Sequence, residues 1–242
     1  FNAPHGASRL DPKIRGAAQA PEETKQRYPE LAARAGYQER TRYGQTSLGP
    51  NAAKRELEYV ASITRMDQAI GSILQFLDDE RLAENTLVLF FSDNGGSGPS
   101  NNGPLRGHKG QTFEGGVRVC ALARFPGRIP AGTVCDGFLT SLEVFPTLAN
   151  ATGSKIPAEI ELDGFDMLPI LAGEATSPRQ RMFWKRQGWE GARVENWKWV
   201  RQDGREMLFD LSTDLGEKRD LSSSHPAELA ELRQAFADWR SE

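Results

Sequence analysis

From Asn51 onward the chain moves between two hydrophobic rhythms. Leu57, Val60, Ile63, Ile70, Ile73, Leu74 and Leu77 recur at helical spacing, which predicts a helix from an N-cap at Asn51 to about Arg81. Asp67 interrupts that stripe and is expected at the helix margin. The next segment has the other rhythm. Thr86–Phe91 is six consecutive apolar or β-branched residues without alternation, the pattern of a strand buried on both faces, as in a parallel sheet. Helix followed by buried strand is half of an α/β repeat.

The remaining pattern fills in around these two elements. Residues 1–50 are rich in Pro, Gly, Ala and charge with little periodicity, and read as a long surface-following segment. Residues 92–116 form a glycine-rich loop, and 117–123 read as a second buried strand, with Cys120 a buried, inert thiol. Ser141–Asn150 predicts a short helix with Pro146 near its start and Gly153 ending it. Asp163-Gly164 predicts a turn, followed by a short apolar segment. After Gly173 the pieces shorten. Met182–Trp184, Trp197–Val200 and Met207–Leu211 read as strands between Gly and Asp turns, and Pro226–Trp239 as an amphipathic helix covering one face of a small antiparallel sheet. The division expected is therefore residues 1–173 and 174–242.

Composition narrows the classes. With 242 residues, 38% hydrophobic, 26% charged and a formal net charge of −3, the chain can bury a substantial core and offers no basic surface for nucleic acid. No apolar run approaches the roughly 18 residues that span a bilayer. Cys120 and Cys135 have neither metal-ligand spacing nor a disulfide framework.

Chemistry concentrates at the end of the first strand. Ligands of open α/β sheets sit beyond the carboxyl ends of the strands. Ser92-Asp93-Asn94-Gly95-Gly96 places Asp93 and Asn94 there, two hard oxygen donors suited to Ca²⁺ or Mg²⁺, with glycines that let the chain curl. The same pentad also describes an ordinary turn. His5, just after Pro4, is a titratable candidate, although a lone histidine is more often structural. Pro104-Leu105-Arg106-Gly107-His108-Lys109-Gly110 sets cationic side chains between glycines, which suits an oxyanion, or else a solvated basic loop. Glu114 reads as structural, with Lys109 or Arg118 as partner.

In order along the chain, Asn-Ala-Pro-His at 2–5, Ser-Asp-Asn-Gly-Gly at 92–96 and Gly-His-Lys-Gly-x-x-x-Glu-Gly-Gly-Val-Arg at 107–118 resemble the second half of type I sulfatases, formylglycine-dependent members of the alkaline-phosphatase-like superfamily. Trp197–Val200, Leu208–Leu211 and Asp214-Leu215-Gly216-Glu217 are similar to that family's C-terminal subdomain. The resemblance implies an α/β fold: part of an alkaline-phosphatase-like sandwich with a mostly parallel sheet, plus a small C-terminal α+β subdomain. It implies Asp93 and Asn94 as ligands of Ca²⁺, in preference to Mg²⁺, and Lys109 as a contact to the sulfate. His5 is implied to bind the sulfate and protonate the leaving oxygen. The substrate implied is a sulfated small molecule or saccharide, with a lean toward sugars from Asn101–Gly107. Periplasmic, secreted or lysosomal proteins are the family's range.

The chain also departs from the family. The Cys- or Ser-x-Pro-x-Arg motif that yields the formylglycine nucleophile is missing, since Cys120 precedes Ala-Leu-Ala-Arg and Cys135 precedes Asp-Gly-Phe-Leu. The N-terminal aspartate pair of the metal site is missing too. The expectation is that the N-terminal part of the same protein supplies both, and that this chain by itself is inactive and exposes an unpaired strand edge. Two alternatives stand beside the sulfatase reading: a phosphoesterase or phosphonate monoester hydrolase of the same superfamily, and a non-catalytic binding module.

Overall fold

The computed structural model describes residues 20–34 and 52–242, in two compact units. One reaches to Ala83 and includes Ser97–Asn101; the other holds Glu84–Gly96 and Asn102–Glu242. In the first, helices α1 (Glu22–Lys25) and α2 (Pro29–Arg34) pack on the long helix α3 (Ala52–Asp79). Glu58 of α3 accepts from the Ala20 N–H at 2.7 Å and pairs with Lys25 at 2.6 Å, beside the buried Leu57 and Ala61. The helix matches the periodicity, but its second half keeps Ile73 and Phe76 about half exposed, because α1 and α2 cover only its beginning among the described residues. Asp67 lies on the exposed side. No helix among the described residues is long and apolar enough to cross a membrane.

The second unit begins with strand β1 (Val88–Phe91), which pairs antiparallel with β2 (Ala121–Arg124) in the register Val88↔Arg124 to Phe91↔Ala121. Here two expectations are corrected. β1 is half-buried instead of buried on both faces, and the second strand starts at Ala121, after a helical turn α4 (Glu114–Val117). Cys120 is consequently exposed, not buried, and Leu122 is 70% exposed. The cause is that a two-stranded ribbon has no further strand to cover it; no parallel neighbour of β1 lies among the described strands. A 3₁₀ turn at Ser141–Glu143 leads into α5 (Val144–Thr152), which Gly153 ends in the left-handed conformation at φ 69°. The apolar segment after the Asp163-Gly164 turn forms a single helical turn, α6 (Leu168–Leu171).

The densest part is an antiparallel meander of β3 (Arg181–Arg186), β4 (Trp189–Val194), β5 (Trp197–Gln202) and β6 (Arg205–Asp210), followed by helix α7 (Pro226–Ser241). The sequence pattern omits β4, because Trp-Glu-Gly-Ala-Arg-Val lacks clean alternation; its pairing on both sides makes it a strand. Ala192, Trp199 and Leu208 form one face and pack on Leu229, Leu232 and Phe236 of α7. The opposite face carries Val200, Met207 and Phe209 and is covered by Phe113 from the loop before α4. Both faces are used, so the meander serves as the platform on which the glycine-rich loop lies.

Candidate active site

Backbone closeness, more than side-chain packing, assembles the site. The Gly95 N–H donates to the Gly116 carbonyl at 2.9 Å, and the Lys109 N–H donates to the Gly96 carbonyl at 3.1 Å. These two bonds join the end of β1 to the loop that carries Lys109. A Cβ on Gly95 would collide with the Gly115 carbonyl, and one on Gly115 would lie 2.5 and 2.6 Å from the carbonyl oxygens of Arg106 and Gly107. Here glycine is required for close approach of main chains. Asn102 acts as a staple: its Oδ1 accepts from the Gly96 N–H at 2.9 Å, and its Nδ2 donates to the Gly96 and Gly107 carbonyls.

Asp93 is exposed and Asn94 half-buried, just past the strand. The Asn94 Nδ2 donates to the Gly95 carbonyl at 3.1 Å, which leaves its Oδ1 as an acceptor, and the Ser92 hydroxyl donates to the Asn94 carbonyl. One carboxylate and one amide oxygen are hard donors of the kind Ca²⁺ takes, so the residues present fit that ion as a partial ligand set. Among the described residues no group of three or more His, Cys, Asp or Glu could hold a metal by itself. Lys109 is half-buried in the same loop. His108 next to it is exposed, its Nδ1 3.0 Å from the Lys109 carbonyl; a carbonyl only accepts, so Nδ1 carries the proton. His5 lies outside the described residues.

Below this loop lies a charge cluster that sequence reasoning saw only in part. Glu114 is buried and accepts from Arg118 Nε at 2.6 Å, as expected, but its other oxygen accepts from Lys198 Nζ at 2.8 Å instead of from Lys109. Lys198 is fully buried and its ammonium sits 4.1 Å over the Trp184 ring. Glu217 is fully buried too: its Oε2 accepts from the Glu114 N–H at 2.7 Å, while its Oε1 has no partner. The Glu217 carbonyl accepts from Arg106, whose guanidinium stacks 4.1 Å over Phe113. Burial works against the charge of Glu114, but Lys198 and then Arg118 outweigh it and hold the carboxyl below its ordinary value. For Glu217 burial wins and pushes the carboxyl up to about 7, against the pull of Lys198. Its backbone is left-handed, φ 52°, which costs a non-glycine residue about 1 kcal/mol.

One signal in the sequence did point to Lys198. Alternation places it on the same face of β5 as Val200, an apolar residue, so that face is not a solvated one. Glu217 entered only as the last residue of the Asp214-Leu215-Gly216-Glu217 motif, which carries no signal of burial.

Comparison with known proteins identifies the class. Residues 2–154 match the family described as Sulfatase. A sulfatase of Formosa agariphila is 32% identical over 202 residues, 72% of this chain and 36% of that protein. Arylsulfatase A of Homo sapiens is 43% identical over 127 residues, 50% of this chain and 25% of its own. The crystal structure of Ps i-CgsB superposes with a TM-score of 0.78 at 27% identity, covering 99% of this chain and 48% of that one; a second structure of Ps i-CgsB holds a k-i-k-neocarrahexaose. The chain belongs to the sulfatase family, and its fold is the alkaline-phosphatase-like one with a C-terminal α+β subdomain. It spans 36% and 25% of the length of these two curated relatives.

Proposed function

We propose that this chain supplies the strand-end and cationic part of the active site of a sulfate ester hydrolase, within a protein whose remaining segment supplies the nucleophile. The observation that carries this reading is the pair of backbone bonds, Gly95 to Gly116 and Lys109 to Gly96, that tie Asp93 and Asn94 to the loop of Lys109. Asp93 and Asn94 would hold a Ca²⁺ ion, which when bound supplies positive charge against the sulfate oxygens. Lys109 contacts the sulfate and offsets the negative charge that grows on its nonbridging oxygens as the ester bond breaks. His5 binds the sulfate and delivers a proton to the departing alcohol oxygen, so the leaving group is an alcohol and not an alkoxide. The nucleophile is a formylglycine outside this chain. Residues 1–173 belong to the catalytic domain in this reading and 174–242 to a supporting subdomain.

The substrate class proposed is a sulfated saccharide or aryl sulfate. Family membership and the saccharide held by a solved relative support it. The test is sulfate release by the whole protein that carries this chain, from an aryl sulfate and from sulfated saccharides, with a phosphonate monoester as the competing substrate. Lys109→Ala and Asp93→Ala are each expected to lower kcat by roughly 100-fold or more. Absence of sulfate release from a sample with confirmed formylglycine rejects the proposal, and faster turnover of the phosphonate moves the assignment to the phosphoesterase branch.

A further inference from the structure

The meander and the candidate site are linked by a short path of buried ionisable groups. Lys198 on β5 donates to Glu114, whose own N–H donates to Glu217 on the turn after β6. Glu114 opens α4, and the next two residues, Gly115 and Gly116, are the ones pressed against Arg106, Gly107 and Gly95. Arg106 returns to the Glu217 carbonyl and closes the circuit. A polar cluster this deep is costly unless satisfied, and one atom in it, Glu217 Oε1, is left without a partner. A merely stabilising contact would be better served by apolar side chains of the same volume. What the ionic path adds over an apolar one is directionality: it fixes the Glu114 backbone N–H and carboxylate in one orientation, and with them the main chain that holds Lys109 against Gly96.

We propose that Lys198 and Glu217 are positioning residues for the candidate active site, holding the loop of Lys109 against the strand end of Asp93 and Asn94 through the buried Glu114. This rests on the sulfatase reading only for its activity readout. Neither residue touches substrate; both act through Glu114. The charged groups that face Glu217 are Lys198, Glu114 and Arg106, with Arg118 on the far side of Glu114. Ionisation of Glu217 places a charge in a buried setting where its Oε1 has no partner, and adds a second negative charge beside Glu114, so the loop is held best while Glu217 is protonated.

The whole protein is compared with its Lys198→Met, Lys198→Arg and Glu217→Gln variants, and with Arg201→Ala as a control at the exposed end of β5. Readouts are kcat and KM for an aryl sulfate across pH, and amide hydrogen exchange of peptides within 95–118 and 226–241. Lys198→Met is expected to lower kcat roughly 10- to 100-fold with a smaller change in KM, as displaced catalytic geometry does. Exchange should accelerate in 95–118 while 226–241 keeps its protection, and Lys198→Arg should restore part of both. Glu217→Gln retains an acceptor for the Glu114 N–H and folds under gentler demands. It should match the parent at pH 6 and, between pH 6 and pH 8, escape the acceleration of exchange in 95–118 relative to 226–241 that ionisation of Glu217 is expected to cause in the parent, a readout that the titration of His5 in catalysis does not enter. A folded Lys198→Met with parental kcat overturns the proposal. So does exchange that accelerates equally in both peptides, or a Glu217→Gln exchange profile across pH that parallels the parent. If the parent releases no sulfate, the sulfatase reading fails, and the exchange data still decide the positioning role.

Discussion

The meander with α7 and the site segments 93–96 and 102–118 belong to one compact unit but are held by different forces. The meander has a core of its own: Trp199, Leu208, Leu232 and Phe236 are at most 4% exposed and interlock across the sheet and helix. The loop contributes little apolar area beyond Phe113. It is held by main-chain hydrogen bonds between glycines and by the ionic path from Lys198 and Glu217. Apolar burial is non-directional and tolerant of small shifts, whereas hydrogen bonds at close approach are not. The difference teaches that stability and site geometry are entrusted to separate regions. The core supplies free energy, and the loop borrows rigidity from it through a few polar contacts.

That contrast can be broken from either side. Leu208→Ala removes a fully buried side chain from the core and should lower stability by about 3 kcal/mol, measured by denaturant unfolding, with kcat of the surviving folded protein little changed. Loss of turnover in proportion to stability would merge the two regions into one. Gly115→Ala attacks the loop instead. Its new Cβ meets two carbonyl oxygens, and the expected result is a stability loss of about 2 kcal/mol accompanied by a fall in kcat of roughly 100-fold.

A subtler break uses pH. Glu217 stands at about 7 in the fold against an ordinary value of 4.5, so folding favours its protonated form. Its contribution to stability is complete below about pH 4.5 and is lost as pH rises through 7. Glu217→Gln lacks that loss. Its stability relative to the parent should therefore improve between pH 5 and pH 8, by on the order of 2–3 kcal/mol. A constant gap would place Glu217 in a solvated setting. The smallest effect is expected at the rim: Arg201→Ala deletes a 3.0 Å ion pair from a side chain that is 46% exposed and should change stability by less than about 1 kcal/mol.

Much of this organisation was legible in the residues. The helix over 52–79, the strand ending before Asp93, the helix closed by Gly153 and the terminal helix all follow local rules of period and capping. By pattern alone Asp93 and Asn94 also describe an ordinary turn and Lys109 a solvated basic loop, so it was the ordered resemblance that singled them out; two backbone bonds bring their segments together. His5 falls outside the described residues. The misreadings share one cause. An apolar run such as Val117–Ala123 reads as buried wherever its neighbours lie, yet burial is decided by what pairs with it, and β2 has only β1 among the described strands. Cys120 and Leu122 are exposed for that reason. β4 was missed for the converse reason, since a weak local pattern becomes a strand when partners flank it on both edges.

The sequence by itself determined most of the elements, the family resemblance and which oxygen and cationic groups stand out, because each depends on residues near one another along the chain. Only the tertiary structure decided that the meander uses both its faces, one for α7 and one for the loop. It alone turned Lys198 and Glu217, residues of separate strand and turn motifs, into the buried partners of Glu114. Those contacts join positions 84 and 103 residues apart. Local propensity has no term for such distances; they are set when two separately patterned segments find the packing in which their charges are satisfied.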